Sequence, residues 1–170
     1  MSQPKKKFSN WSLLVFILII LFVEFFVINA SKMSGDSMIP NLKDEGYYVV
    51  KLQFFTRNLL RDDVIVYRAS YSKNHVIKRI IGLPNETITL QGGMVYMNGN
   101  LLDESKYKQP SVLTQGGSFF RNGESIVVPY NSYFVLGDNR SQSSDSRENG
   151  FVQEKDILGV VWFCFLRCSE

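Results

Sequence analysis

The chain offers few residue types for hydrolytic chemistry, and its composition leaves serine as the candidate nucleophile. A Ser-His-Asp triad needs a histidine base, and His75 is the only histidine among the 170 residues. The sequence has no GxSxG elbow, no HExxH pair and no cluster of metal-ligating residue types. We therefore consider a serine that is activated by a group other than histidine.

Ser37 is the candidate nucleophile. It lies in the segment SGDSMIP at residues 34–40, and it is nine residues beyond the end of an apolar stretch at residue 28. Gly35 would let the backbone approach a substrate closely, and Pro40 would stiffen the exit from the segment. The same local features also fit a serine in an ordinary turn. A catalytic role for Ser37 therefore depends on a base elsewhere in the chain.

Lys78 is the candidate base, within HVIKRIIGLP at residues 75–84. If 76–81 is a strand, Lys78 shares one face with Val76 and Ile80. An exposed lysine has a pKa of about 10.4, and burial can lower that pKa enough to make lysine a general base. A shift of about three pKa units corresponds to roughly 4 kcal/mol, which apolar burial must supply. The alternative is a lysine whose stem lies on a sheet and whose ammonium stays in water.

The third segment of interest is polar. It is GDNRSQSSDSR at residues 137–147, and it directly follows an apolar strand at 133–136. Its composition is that of a polar loop. A neutral lysine needs a fixed acceptor that orients its nitrogen, and a serine hydroxyl of this loop could provide one. Asp145 and Arg147 could pair and hold the loop, because a guanidinium matches the geometry of a carboxylate.

The elements that must position these residues are short strands rich in valine, isoleucine, tyrosine and phenylalanine. We predict strands at 46–52, 64–67, 76–81, 86–90, 94–97, 125–128, 132–136 and 157–166. Asn98-Gly99 is a strong two-residue hairpin signal, so a meander is expected there. The polar stretch 101–123 predicts a long excursion or flexible flap. The strands beyond it should complete the same sheet and not form another domain.

An apolar segment precedes this β-rich body. Residues 11–28 contain only Ser12 and Glu24 as polar residues, and a helix of about 27 Å would roughly span a bilayer core. With the lysine run at 5–7, the pattern predicts a cytoplasmic stretch at 1–10, a transmembrane anchor at 11–28 and an extracytoplasmic domain at 29–170. Glu24 could be protonated, reach the interface or face a partner helix.

A cleavable secretory signal is the alternative interpretation of the first thirty residues. Ile28 and Ala30 fit the minus-three and minus-one positions of a cleavage site. The apolar segment is longer than the hydrophobic region of an ordinary signal peptide, and this favours an anchor that is retained.

Composition excludes several classes of protein. A hydrophobic content of 45% with 14% aromatics is enough for a packed core. The net charge of +3 is concentrated in the lysine run, so a nucleic-acid partner is not expected. Cys164 and Cys168 lack the spacing of a zinc pair or a redox motif. On one strand they would lie about 13 Å apart, too far for a disulfide, and we expect buried free thiols.

Taken together, the three motifs resemble those of the bacterial type I signal peptidases. SGDSMIP, KRIIGLP and GDNRSQSSDSR occur in that family's order, and the resemblance extends from the N-terminal anchor through Gly159. It implies a mainly β fold of antiparallel sheets after an N-terminal transmembrane helix, with the catalytic domain at 29–170. It also implies a membrane-bound serine endopeptidase that removes N-terminal signal peptides from exported preproteins.

The resemblance implies roles for individual residues and for partners. Ser37 corresponds to the nucleophile and Lys78 to the general base, Ser143 to a serine that orients the dyad, and Asp145 and Arg147 to the acid and arginine that stabilise the loop. The implied partners are preproteins carrying signal peptides, the lipid bilayer and the secretion translocon. The implied location is the cell membrane, with the catalytic domain on its outer face. No metal or organic cofactor is required.

Several positions depart from the family's pattern. Asn41 stands where threonine is common, and Asn85-Glu86 stands where Gly-Asp is usual. We expect none of these residues to touch the dyad. Members with a serine two residues before the nucleophile use its hydroxyl in the oxyanion hole, whereas this chain has Gly35 there. We therefore expect the backbone N–H of Ser37 to stabilise the oxyanion, with Gly35 shaping the hole.

Rival interpretations stay open. One is another Ser/Lys peptidase on the same scaffold, such as a pilus-processing peptidase or a self-cleaving repressor, although the anchor argues against a repressor. Another is a catalytically silent, membrane-tethered β protein that binds export partners. A third keeps the enzyme but makes His75 the base, although on a strand His75 would face away from Lys78.

Overall fold

The structure is a computed structural model, and it describes the backbone of residues 10–27, 30–32, 35–52 and 58–166. Side chains are described at 11–21, 35–50 and 58–162. The lysine run at 5–7, on which the predicted cytoplasmic stretch depends, lies outside the described residues, as do Ile28 and Cys168 and the side chains of Glu24 and Cys164.

The described elements run from an N-terminal helix through a series of short strands. They are α1 (Asn10–Val27), β1 (Ala30–Lys32), β2 (Tyr47–Leu52), β3 (Val64–Arg68), β4 (His75–Gly82), β5 (Thr87–Gln91), β6 (Met94–Met97), β7 (Asn100–Leu101), β8 (Ser125–Val127), β9 (Ser132–Leu136), α2 (Ser146–Asn149), β10 (Val152–Gln153) and β11 (Ile157–Leu166). The predicted strands are confirmed with small shifts at their ends. β1, β10 and α2 were not predicted, and β7 was implied only by the hairpin signal at Asn98-Gly99.

The larger sheet has seven strands in the order β1-β2-β11-β3-β4-β9-β10, and all its neighbouring strands are antiparallel. Its central strands are buried on both faces. Ile80 and Ile81 are consecutive on β4 and so point to opposite faces, and both are fully buried. One face carries a cluster that includes Ile65, Ile80 and Val135. β4, which carries Lys78, therefore lies between two apolar layers.

The smaller sheet has four strands in the order β7-β6-β5-β8. Two-residue turns join β5 to β6 at Gly92-Gly93 and β6 to β7 at Asn98-Gly99, and all four turn residues have positive φ, as type I′ turns require. The meander predicted at this position is confirmed. The predicted mainly β architecture of antiparallel sheets is confirmed. The expectation that the strands beyond the excursion complete the same sheet holds for β9, β10 and β11 but not for β8, which pairs with β5.

The two sheets share a core. Ile88 and Val95 of the smaller sheet belong to the same apolar cluster as Phe134 and Leu136 of β9, and Phe120 of the excursion joins them. Phe120 packs edge-on against Phe134 at a ring separation of 5.4 Å. This shared cluster buries apolar surface of both sheets, so neither sheet stands as a separate domain.

The excursion at 101–123 is present but is not the loose flap that its composition suggested. Glu104, Tyr107, Thr114 and Phe120 are all at most 7% exposed. The guanidinium of Arg140 donates hydrogen bonds to the Glu104 carboxylate and to the Thr114 hydroxyl. These buried polar contacts fasten the excursion to the polar segment 137–147.

α1 is an apolar helix whose described side chains, from Trp11 to Leu21, are exposed. Within the described residues, no helix has the combined length and hydropathy of a membrane span.

Candidate active site

Ser37 lies in a turn that packs against the larger sheet. Met38, next to it, is fully buried and belongs to the apolar cluster of Tyr48 and Val50. The Leu42 N–H donates to the Met38 carbonyl over 2.9 Å and closes the turn. The buried methionine therefore anchors the segment while the Ser37 side chain stays partly accessible.

Gly35 shapes the entrance to this turn. Its φ of 112° lies in the region that favours glycine. Its N–H donates to Asp44 Oδ1 over 2.8 Å. The N–H of Ser37, by contrast, has no hydrogen-bond acceptor among the described residues. The Ser37 amide is therefore one of the donors of this turn that could meet a substrate oxygen.

The structure brings Ser37 and Lys78 into direct contact, although they lie 41 residues apart in the sequence. Lys78 Nζ donates a hydrogen bond to Ser37 Oγ over 2.7 Å and another to the Ile77 carbonyl over 3.0 Å. Lys78 is only 4% exposed. A serine hydroxyl within hydrogen-bonding reach of a lysine amine is the arrangement that nucleophilic catalysis with a lysine base requires.

Burial lowers the pKa of the Lys78 ammonium from 10.5 to about 8. The negative charges of Asp145 and Asp138 oppose this effect by raising the pKa, and the positive charge of Arg147 lowers it further. At a pKa of about 8, roughly one lysine in ten is neutral at pH 7. The site therefore contains a lysine that can accept a proton near neutral pH.

The polar segment 137–147 holds the main chain of the nucleophile turn. The Asn139 N–H donates to the Ser37 carbonyl over 3.0 Å, and the Asn139 side chain donates to the Asp36 carbonyl over 3.1 Å. A Cβ on Gly137 would lie 2.2 Å from Ser143 Oγ and 2.5 Å from the Ser37 carbonyl oxygen. Glycine at 137 is therefore required by the close approach of these groups.

Ser143 lies at the site but does not contact Lys78 through a hydrogen bond. Its Oγ is buried and has no hydrogen-bond partner among the described residues. The hydrogen bonds of Lys78 Nζ go instead to Ser37 and to Ile77. The dyad-orienting role of Ser143 stays a prediction.

The ion pair expected between Asp145 and Arg147 is present. Arg147 donates from Nε to Asp145 Oδ1 over 2.8 Å and from Nη2 to Oδ2 over 2.9 Å. Asp145 is fully buried and also accepts the Gly137 N–H over 3.0 Å. Arg147 Nη2 further donates to the carbonyls of Arg140 and Ser143. The pair thus links both ends of the segment 137–147.

A second buried ion pair was not predicted. Arg79, next to Lys78, donates from Nε and Nη2 to the two oxygens of Asp138 over 2.8 and 2.6 Å. The Tyr107 ring lies over the Arg79 guanidinium, 4.5 Å away. The sequence shows a cation next to Lys78 and an acid in the segment 137–147, but nothing in the spacing indicates that these two side chains meet.

His75 begins β4 and is exposed, and no hydrogen bond joins it to Ser37. Among the described residues, no group of three or more His, Cys, Asp or Glu side chains could hold a metal ion.

Comparison with known proteins gives one consistent family. The model of the family described as signal peptidase, peptidase S26, matches residues 8–166. Signal peptidase I P of Bacillus subtilis subsp. natto is 33% identical over 172 residues, which cover 96% of this chain and 93% of that protein. Signal peptidase IB of Staphylococcus aureus is 35% identical over 181 residues, which cover 98% of this chain and 93% of that protein.

A solved structure agrees with these relatives. The crystal structure of a signal peptidase I from Enterococcus faecalis V583 is 32% identical, has a TM-score of 0.51, and covers 62% of this chain and 97% of that one. The family match spans nearly the whole sequence, and the antiparallel sheets follow the same fold. The chain therefore belongs to the signal peptidase family, peptidase S26, and is a type I signal peptidase.

Proposed function

We propose that this signal peptidase cleaves preproteins with Ser37 as the nucleophile and Lys78 as the general base. The observation that carries the proposal is the 2.7 Å contact between Ser37 Oγ and the Nζ of a lysine that is 4% exposed. The apolar surroundings favour the neutral amine, which is the form that can accept a proton.

In the first step, neutral Lys78 takes the proton of Ser37 as Oγ attacks the scissile carbonyl carbon. The resulting ammonium then gives this proton to the leaving nitrogen as the C–N bond breaks. The mature protein leaves with a new N-terminus, and the signal peptide stays as an ester on Ser37. In the second step, Lys78 takes a proton from water as the water oxygen attacks the ester carbon. The resulting ammonium returns this proton to Ser37 Oγ as the C–O bond breaks, which releases the signal peptide and restores the Ser37 hydroxyl.

The oxyanion that forms in each step would be stabilised by the N–H of Ser37. Two observations support this assignment. The Ser37 N–H has no acceptor among the described residues, and the Gly35 N–H is already bonded to Asp44. Gly35 would contribute by its backbone shape, since its φ of 112° turns the chain towards Ser37.

The remaining predicted site residues all belong to the segment 137–147, and they would position the dyad. Asp145 and Arg147 would fix the segment 137–147 through their buried ion pair. Ser143 would orient Lys78 during the reaction, because catalytic hydrogen bonds often form only when substrate is bound. The unsatisfied, buried Ser143 Oγ supports this role, since an isolated buried hydroxyl is rare unless it serves a function.

The substrate would bind as an extended strand with small side chains at its minus-one and minus-three positions. Cleavage of a preprotein with an Ala-x-Ala site by the purified, detergent-solubilised protein tests the proposal. Wild type should cleave at that site, and Ser37→Ala and Lys78→Ala should each lose turnover. Ser111→Ala and Lys155→Ala, at exposed positions, are matched controls that should cleave like wild type.

Equal behaviour of all five proteins would contradict the dyad. Absence of cleavage by wild type would favour a silent tethered protein that binds export partners. Cleavage of a pilin-type precursor in preference to the Ala-x-Ala substrate would favour the pilus-processing alternative.

We further propose that the chain is a single-pass protein of the cell membrane, with residues 1–10 cytoplasmic, 11–28 as the anchor and 29–170 as the outer catalytic domain. The apolar α1 supports this, since its described side chains are all exposed and would be costly to leave in water. The bilayer and the secretion translocon would then be partners of the anchored enzyme.

Fractionation of cells that express the full chain tests this topology. The protein should stay in the membrane pellet after carbonate extraction. Protease added from the outer side should digest the region 29–170. Recovery of the intact chain in the soluble fraction would contradict the anchor, and protection of 29–170 would contradict the orientation.

A further inference from the structure

We propose that Asn41 is a positioning residue for the reaction, which holds Ser37 at the correct distance from Lys78. The inference rests on the proposed function of these two residues. It concerns a position that the sequence did not connect with the dyad.

The Asn41 amide uses both of its N–H groups on two different parts of the fold. Nδ2 donates to the Tyr107 carbonyl over 2.7 Å and to Asp138 Oδ2 over 2.8 Å. Because a carbonyl and a carboxylate are both acceptors, only the nitrogen end of the amide fits between them. A residue with a single donor, or with none, cannot make both contacts.

Asp138 connects Asn41 with the base side of the site. Asp138 is 4% exposed, and its carboxylate accepts two hydrogen bonds from Arg79, which follows Lys78 on β4. Charge-assisted contacts of this kind are short and directional. These hydrogen bonds therefore fix the position of Asn41 relative to β4, the strand that carries Lys78.

Asp138 also connects Asn41 with the main chain of the nucleophile. The next residue, Asn139, donates its N–H to the Ser37 carbonyl. The nucleophile turn is thus held at its start by Asn139 and at its end by Asn41, four residues after Ser37. Two fixed ends leave Ser37 little freedom to move relative to Lys78.

The contact with Tyr107 brings the excursion 101–123 into the same arrangement. The Tyr107 ring also lies over the Arg79 guanidinium. Asn41, Asp138, Arg79 and Tyr107 therefore form a closed ring of contacts between the nucleophile turn, β4 and the excursion. A displacement of about 1 Å between reacting groups can lower a rate about a hundredfold, so this ring is placed to affect turnover.

Two variants separate positioning from folding. Asn41→Leu keeps the size of the side chain and removes both donors, and Asn41→Asp keeps the shape but places a carboxylate against Asp138. Asn122→Leu and Asn122→Asp, at an exposed position, are the matched controls. The measurements are kcat and KM for preprotein cleavage, the rate of Ser37 acylation by a small serine-directed inhibitor, and the thermal midpoint of each full-length variant.

Both Asn41 variants should lower kcat by about tenfold or more, with KM changed less than about threefold. Acylation by the small inhibitor should fall in parallel, because it requires the Ser37–Lys78 geometry but little of the substrate groove. Asn41→Thr, which retains one donor, should recover part of the lost kcat. The Asn122 variants should behave like wild type.

A kcat within twofold of wild type in Asn41→Leu would overturn the proposal. A change in KM with an unchanged kcat would also overturn it. So would a fall in kcat that is fully accounted for by the fraction of unfolded protein. If Ser37→Ala or Lys78→Ala retains activity, the dyad itself fails, and this outcome is distinct from a failure of the Asn41 variants in an enzyme whose dyad is intact.

Discussion

Ile65 on β3 lies directly opposite Lys78 on β4 in the antiparallel ladder, and Ile65 is fully buried. Opposite residues of such a pair place their side chains on the same face of the sheet. The stem of Lys78 therefore crosses an apolar surface that also includes Ile80. This surface removes water from the ammonium and explains why burial lowers the pKa of Lys78 to about 8.

The pH dependence of cleavage should report this pKa. If neutral Lys78 is the base, kcat/KM for the Ala-x-Ala preprotein should rise about tenfold from pH 7 to a plateau above about pH 9. The apparent pKa of the profile should be about 8. A midpoint near 10, or a profile that is flat from pH 6 to 10, would show that Lys78 does not act as the titrating base.

Lys78 should also lower the stability of the folded chain. Its pKa is lower in the folded state than in the unfolded state, so the unfolded chain binds the proton more tightly. The penalty is fully present below about pH 8 and disappears as the pH rises towards 10.5. Lys78→Met should therefore raise the free energy of unfolding at pH 7 by up to roughly 3 kcal/mol.

Urea denaturation of Lys78→Met at pH 7 and pH 9.5 would measure this effect, and the gain should be smaller at the higher pH. Lys155→Met, at an exposed position, should change the free energy of unfolding by less than about 0.5 kcal/mol. A Lys78→Met protein less stable than wild type at pH 7 would contradict the burial argument.

The local elements of the fold could be predicted from the sequence because their signals are local. β3 and β4 are rich in valine and isoleucine, and Asn98-Gly99 has the chemistry of a tight turn. β1 and β10 have only three and two residues, too few for an alternation pattern. Their place is fixed by pairing with β2 and β9.

The contacts of the site that could not be predicted join residues that are far apart in the sequence. Arg79 and Asp138 are 59 residues apart, and Glu104 and Arg140 are 36 residues apart. Nothing near either member of a pair indicates its partner. The division into two sheets has the same origin, since it depends on which strand pairs with β5. Ser37 and Lys78 could be named because each lies in a motif, but their 2.7 Å contact required the fold.

The charges of Asp145 and Arg147 should shift the pH profile in opposite directions. Asp145 raises the pKa of Lys78 and Arg147 lowers it. Asp145→Asn should therefore move the apparent pKa of kcat/KM down, and Arg147→Gln should move it up. The double variant, which has no net change of charge, should return the midpoint towards wild type. Shifts of the same sign in both single variants would contradict the electrostatic account.

Gly137 should tolerate no side chain. A Cβ there would meet Ser143 Oγ at 2.2 Å and the Ser37 carbonyl oxygen at 2.5 Å, so Gly137→Ala must displace the nucleophile turn. We expect a loss of kcat of about a hundredfold. Gly123→Ala is the control, because its Cβ would meet nothing within 4 Å, and it should cost about 1 kcal/mol of stability through its φ of 85° while kcat stays unchanged. Equal kcat in the two variants would argue against close packing at Gly137.

Covalent labelling of Ser37 tests the central claim most directly. The full-length protein and its Lys78→Met variant would be treated with a small serine-directed acylating inhibitor at several pH values, and the modified residue would be located by mass spectrometry. The account predicts a single adduct on Ser37, formed faster as the pH rises through about 8 and formed at least about a hundredfold more slowly in Lys78→Met. An adduct on another serine, or equal rates in the two proteins, would contradict it.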